Sequence, residues 1–191
     1  MISDRIKWNE KYRRQGYPDT PVDVIKEFCG LAPGRRALDL AAGTGRHALF
    51  LAEQGFQVDA VDISDEGLGR FAGRHPGVRV ICADLDRFDI PRDRYDLIVD
   101  VLYLNRRLFP QIREGLVPGG VLIFETLAAS PGGAGDEGHC RDFLLRENEL
   151  LHAFLSLKVV YYREEVRSGA EGPRRLASLV GVKPGGAQRG G

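Results

Sequence analysis

Leu38-Asp39-Leu40-Ala41-Ala42-Gly43-Thr44-Gly45-Arg46-His47 decides the fold. An apolar run carrying one acid enters a turn of small residues, and the turn opens directly into a helical pattern. Small residues let a backbone approach another molecule closely, and a helix start offers free N–H groups with positive potential. Outward from this turn the pattern alternates. Short β-branched runs fall at 37–40, 58–63, 78–83, 97–102 and 121–124, with helical stretches between most of them. Such alternation implies parallel pairing through right-handed crossovers, hence a doubly wound, Rossmann-like α/β sheet. Two further runs, 158–166 and 176–182, follow without a helix between them and predict a C-terminal antiparallel hairpin, for about seven strands in all.

The helical stretches carry their own signals. Thr20-Pro21 with Asp23 predicts a capped start before Val24, Phe28 and Leu31. Residues 46–54 are apolar at 48, 49, 51 and 52 and stop at Gly55. The stretch 65–74 is a weaker helix, because Gly67, Gly69 and Gly73 interrupt it. Leu108, Ile112 and Leu116 share one helical face, which Pro118-Gly119-Gly120 ends, and Leu150, Leu151, Phe154 and Leu155 line another. The segments 130–138 and 183–191 read as unstructured. The expected organisation is one domain over 1–183, with 1–34 as a helical N-terminal segment and 184–191 as a disordered tail.

Glycine is the compositional anomaly, at 24 of 191 residues, well above the ~7% average. Charge is balanced, 27 basic against 27 acidic residues, which argues against a protein built to grip nucleic acid or an acidic membrane. No run approaches the ~20 apolar residues of a membrane span. The polar opening Met1-Ile2-Ser3-Asp4-Arg5 is unlike a secretory leader. Three scattered cysteines, Cys29, Cys82 and Cys140, form no disulfide framework, so a reduced, cytoplasmic protein is expected. Cys82 ends an apolar run and reads as a small buried residue. No metal site is expected.

Asp62 ends the second strand seventeen residues after Gly45, placed to accept from ribose hydroxyls, and Asp84 follows the third strand, placed to accept from an adenine amino group. An adenosine-bearing cofactor is the natural guest. Gly43-x-Gly45-x-x-Ala48 formally matches a dinucleotide fingerprint, a weak signal in isolation. Three observations favour S-adenosyl-L-methionine instead. Asp39 lies before the glycines, where it would meet an ammonium but repel a pyrophosphate. Asp84 supplies a second acid beyond the ribose position. No extra βα units exist to hold a dinucleotide's second half.

These residues resemble class I S-adenosylmethionine-dependent methyltransferases. The turn matches their acid-x-Gly-x-Gly-x-Gly motif with Ala41 in place of the first glycine, a replacement that a negative φ would accommodate. The likeness continues through Val61-Asp62-Ile63-Ser64, Ala83-Asp84, Tyr95-Asp96-Leu97-Ile98-Val99 and 116–121, covering most of 35–125. The resemblance implies cofactor contacts from Asp39, Ala41, Gly43, Gly45, Asp62, Ile63, Ala83 and Asp84. The ends of the chain look like the small bacterial tellurite-resistance (TehB-like) enzymes, through Trp8-Asn9-Glu10-Lys11-Tyr12 and Glu147-x-Glu149-Leu150-Leu151-x-x-Phe154. In that group the N-terminal segment lids the cofactor, so Trp8 and Tyr12, at i and i+4, join the cofactor set. Members of the group carry a His-Arg pair in the terminal hairpin. Arg167 and Arg174 stand there in this chain, and the histidine has no counterpart.

Methyl transfer is an in-line displacement that rests mainly on proximity and orientation. A thiolate or oxyanion needs no base, whereas a protonated nucleophile does. The Asn/Asp-Pro-Pro-Tyr motif of amino-directed enzymes is missing after strand four, where the chain reads Asp100-Val101-Leu102-Tyr103-Leu104-Asn105-Arg106. Tyr103, Asn105, Arg106, Arg107 and Glu125 are the substrate-side candidates, with Arg106 or Arg107 suited to an anion. His47 reads as a surface residue or a neighbour of the cofactor carboxylate, and His75 as a helix end. His139, Cys140 and Arg141 sit in a segment able to cover a substrate. The expected function is methyl transfer to a small-molecule acceptor, a thiol or an oxyanion. A macromolecular (RNA or protein) methyltransferase, a nucleotide-binding oxidoreductase and a non-catalytic cofactor-binding module stand as alternatives. Sequence leaves the oligomeric state open.

Overall fold

The computed structural model describes residues 2–130, 143–169 and 172–185. Along the chain come α1 (Ile2–Arg14), α2 (Asp23–Phe28) with a 3-10 turn over Cys29–Leu31, β1 (Arg36–Leu40), α3 (Arg46–Glu53), β2 (Gln57–Asp62) and α4 (Asp65–Gly69). Then follow β3 (Val78–Cys82), β4 (Tyr95–Val101), α5 (Leu108–Gly115), β5 (Leu116–Leu127), α6 (Glu149–Ala153), β6 (Lys158–Gly169) and β7 (Gly172–Val182). The strands form one sheet in the order β3-β2-β1-β4-β5-β7-β6. β1 to β5 run parallel, and β7 and β6 close the sheet antiparallel. The order reverses at β1, so the C-terminal ends of β1 and β4 flank the switch point where such sheets take ligands.

Alternation along the strands explains the two layers. Leu38, Leu40, Ile98, Leu122 and Phe124 point to one face and pack with Leu108, Ile112 and Phe154 of the α5–α6 side. Ala37, Ala60, Leu97, Val99, Val121 and Ile123 point to the other and meet Ile25, Ala48 and Leu51 of α2 and α3. Central strands buried on both faces read as continuous apolar runs, as these do.

α1 has little apolar surface and docks through few side chains. Tyr12 is its buried anchor, stacked on Trp8 and against Tyr17, and full burial of such a ring contributes about 1.5–3 kcal/mol. Arg5 and Asn9 reach Asp65 at 3.0 and 2.8 Å, and Arg13 pairs with Glu66. These exposed pairs fix direction more than they add stability.

Several local expectations change. α2 begins at Asp23, with Val22 at the cap and no side-chain cap bond, so Thr20 does not cap it. α5 ends at Gly115, because Leu116 already pairs with Tyr95, and β5 then runs through Pro118-Gly119-Gly120 to Leu127. Lys183 is tied down: its N–H donates to Gly120 O at 2.8 Å and its Nζ to Asp93 at 2.8 Å. Cys82 is exposed, because it ends the edge strand β3. The glycine-rich segment with His139, Cys140 and Arg141, like the last six residues, lies outside the described residues.

Candidate active site

The crevice is built on the turn between β1 and α3. Gly43 and Gly45 are left-handed, at φ +56° and +82°, and so is Ala41, at φ +54°. The negative φ that would have eased alanine in the glycine position is therefore not adopted, and Ala41 carries the strain of a left-handed L-residue. The two glycines are also needed for packing. A Cβ on Gly45 would lie 2.3 Å from the Phe71 ring, and one on Gly43 would lie 2.8 Å from the Tyr12 hydroxyl. Tyr12 therefore reaches down from α1 onto the turn, and Gly67 of α4 accommodates the other side of its ring.

Asp62 closes the crevice at the end of β2. Its carboxylate accepts from Gly43 N–H at 2.8 Å and from Ser64 N–H at 2.8 Å, so turn and strand end are locked together. Its two oxygens, with about four acceptor sites between them, retain acceptor capacity beyond these bonds. Burial nevertheless holds its pKa above the ordinary carboxylate value. The fully buried Ser64 hydroxyl accepts from Gly67 N–H at 3.0 Å, capping α4, and donates to Asn9 of α1 at 2.6 Å. The covering helix is thus fastened to the strand end that carries Asp62. Ala83 N–H donates to Asp62 O at 2.9 Å, which sets Asp84 beside it. Asp84 accepts from Asp86 N–H at 3.0 Å, which keeps it acidic. Cys82 Sγ contacts the carbonyl of Ile63.

Asp39 is wholly buried, and among the described residues its Oδ2 has no hydrogen-bond partner. Burial, reinforced by Asp62, pushes its carboxyl up to about 8, against the pull of the Ala48 N–H and Arg46. His47 is buried rather than exposed, because α3 starts at the crevice floor. Its Nε2 also lacks a partner among the described residues, and burial, with Arg46, holds it neutral, down to about 3. Buried polar atoms without partners are costly and call for explanation. Here they lie where an ammonium or carboxylate would meet them. This donor and acceptor set fits S-adenosylmethionine: Asp39 for the ammonium, Asp62 for ribose hydroxyls, Asp84 for the adenine amino group.

The substrate-side candidates divide. Glu125 is buried on β5, accepting from Ser178 Oγ at 2.6 Å and pairing with Arg167 at 3.0 Å. Tyr103 and Asn105 follow β4; Asn105 Nδ2 lies 3.3 Å from the Tyr103 hydroxyl and donates to Asp86 at 2.9 Å. Burial pushes the Tyr103 hydroxyl up to about 12. Arg106 grips Glu149 at 2.5 and 2.9 Å and the Leu144 carbonyl at 3.0 Å. Arg107 donates to the carbonyls of Leu85 and Phe88 at 2.9 and 2.8 Å. Both guanidiniums thus bind protein groups and brace the loops around the crevice. Two residues escaped sequence reasoning. Arg46, half-buried at the start of α3, is acted on by Asp39, Glu125 and Tyr12. Asp100 is a buried acid inside β4. An acid inside an apolar run was the available signal for Asp100; for Arg46 there was only its place after the glycines.

Residues 37–120 match the profile of a family described as a methyltransferase domain. The chain carries a methyltransferase domain. Its fold is that of the class I, S-adenosylmethionine-dependent enzymes. The domain is 53% identical over 149 residues to a demethylmenaquinone methyltransferase of Corynebacterium urealyticum, covering 72% of this chain and 62% of that one. It is 29% identical over 109 residues to a demethylmenaquinone methyltransferase of Beutenbergia cavernae, covering 53% and 45%. The chain thus spans about half to three-fifths of the length of these relatives. The crystal structure of TehB from Haemophilus influenzae superposes with a TM-score of 0.70 at 19% identity, over 94% of this chain and 66% of that one. The domain therefore shares the TehB fold, terminal hairpin included. No described helix is long and apolar enough to cross a membrane.

Proposed function

We propose that this chain transfers a methyl group to a small-molecule acceptor whose nucleophile is an ionisable X–H group, a thiol or an acidic hydroxyl, methylated as its anion. One observation supports the acceptor side: several cations stand on the elements around the crevice, among them Arg167, which Glu125 and Glu165 hold at 3.0 and 2.7 Å. Arg167 and Arg174 stand directly opposite each other in the β6–β7 register, an arrangement that repulsion disfavours in a strand pair. Arg46 approaches from α3, and Lys11 approaches from α1 over the Trp8 ring at 4.7 Å. Burial, then Lys7 and Arg174, depress the Lys11 ammonium. Like charges gathered at one crevice favour an anion there.

When bound, S-adenosylmethionine supplies an electrophilic methyl group on a sulfonium. Asp39, Asp62, Asp84 and the turn 41–45 hold the cofactor, and Tyr12 with Trp8 covers it and excludes water. Glu125 fixes Arg167 and Ser178, and so sets where the hairpin presents its cations. The 53% identical relative, named for a demethylmenaquinone, adds a quinone of that kind to the acceptors to be tested. The test is release of S-adenosylhomocysteine with a panel of thiols, oxyanions and demethylmenaquinol. Turnover with at least one thiol or hydroxylated ring is expected. Methyl label entering only RNA or protein overturns the reading.

A further inference from the structure

Resting on the proposed acceptor chemistry, we infer that Asp100 is the catalytic base that takes the proton from the acceptor's X–H group. Asp100 stands one residue before the end of β4, in register with Leu40 on β1 and Phe124 on β5, both wholly buried. Only 1% of the residue is exposed, and Oδ1 has no hydrogen-bond partner among the described residues. A carboxyl group between two apolar side chains with an unpaired oxygen costs several kcal/mol relative to an apolar residue. Nothing in the packing needs it, since neighbouring strand positions hold valine, isoleucine and leucine.

Its place suits proton transfer. β4 borders the switch point, and the chain leaves it at Leu102, which is left-handed at φ +59° and half-exposed. The left-handed turn stops the strand, so Asp100 lies near the C-terminal end of β4, the end of the sheet at which Asp39 and the turn after β1 also stand. Asp39 on β1 acts on it, and it in turn acts on the Tyr103 hydroxyl just beyond β4. Burial and the Asp39 charge raise it well above an ordinary carboxyl. That brings its proton affinity toward those of thiols and acidic hydroxyls, the condition for efficient base catalysis. In the step, the X–H bond breaks and its proton binds a carboxylate oxygen of Asp100. The bonding pair stays on X as the nucleophile's lone pair, and the cations around the crevice stabilise the resulting anion.

The experiment compares wild type, Asp100→Asn and Asp100→Ser with thiols of graded acidity, across pH 5.5–9, alongside calorimetry with S-adenosylmethionine. For the least acidic thiol, kcat is expected to fall by about a hundredfold or more in both variants. The deficit should shrink as thiol acidity rises, and the limb of the wild-type profile that rises with pH should be lost. Cofactor affinity should stay within about twofold, which shows that the variants fold; if Asn does not fold, Ser provides the comparison. A deficit equal for every thiol, or an unchanged pH profile, overturns the assignment while leaving the proposed function standing. Wild-type silence toward every acceptor overturns both.

Discussion

Ala41→Gly should stabilise the protein, although replacing alanine by glycine usually does the opposite. Ala41 has φ +54° in the turn after β1, where an L-residue is penalised by about 1–2 kcal/mol. Glycine removes that penalty. Against it stands the greater conformational freedom of glycine in the unfolded chain, about 0.4–1 kcal/mol, and the loss of one partly buried methyl contact. The balance is a gain of roughly 0.5 kcal/mol, or about 1–2 °C in Tm for a domain of this size. Urea titration with scanning calorimetry measures it, with Ala52→Gly as the control. Ala52 is buried in α3, and glycine there should cost about 1–2 kcal/mol through helix propensity and lost packing. If Ala41→Gly lowers stability by as much as Ala52→Gly, the strain argument fails.

Gly45→Ala should be severely destabilising, by about 2–4 kcal/mol, because the new Cβ meets Phe71 at 2.3 Å on a backbone at φ +82°; urea denaturation with unchanged midpoint would contradict this. The pH dependence of stability has a definite sign. Asp39 titrates at about 8 when folded against an ordinary value of 3.8, so the folded state binds the extra proton between those values and stability falls as pH rises through that window. His47, lowered to about 3 from 6.5, acts oppositely, adding stability as pH rises from about 3 to 6.5. Above pH 6.5 the carboxyl effect stands without the histidine's opposition, and Asp39→Asn should flatten the decline of Tm between pH 6.5 and 8. An identical slope in the variant would refute the buried-acid account.

Much of this architecture was legible because local patterns and long-range packing agree. Each apolar run became a strand, with β1, β4 and β5 buried on two faces, and Gly55 and the Asp-rich strand ends marked the crossovers. Asp39, Asp62 and Asp84 stand out because acids at the ends of apolar runs have few structural reasons to be there. What local pattern could not reveal was set by tertiary position. Cys82 is exposed because β3 is an edge strand, and strand order is not written in the run Val78–Cys82. His47 is buried because α3 begins inside the crevice. β5 continues past Pro118 because its first residues pair with β4 and its partner β7 arrives from sixty residues later. Gly45 looked like a cofactor glycine, yet its missing side chain faces Phe71, a contact no spacing rule predicts.

The central claim is that the turn after β1 and the acid at the end of β2 form one cofactor site. Calorimetric titration of S-adenosylmethionine into wild type and Asp62→Ala tests it most directly. Asp62 holds Gly43 and Ser64 at 2.8 Å each and keeps acceptor capacity for the ribose, so its loss removes both a ligand contact and the support of the turn. Wild type should bind the cofactor, and the variant should bind about tenfold or more weakly. Equal affinity in the two proteins, or no binding by wild type, would contradict the account.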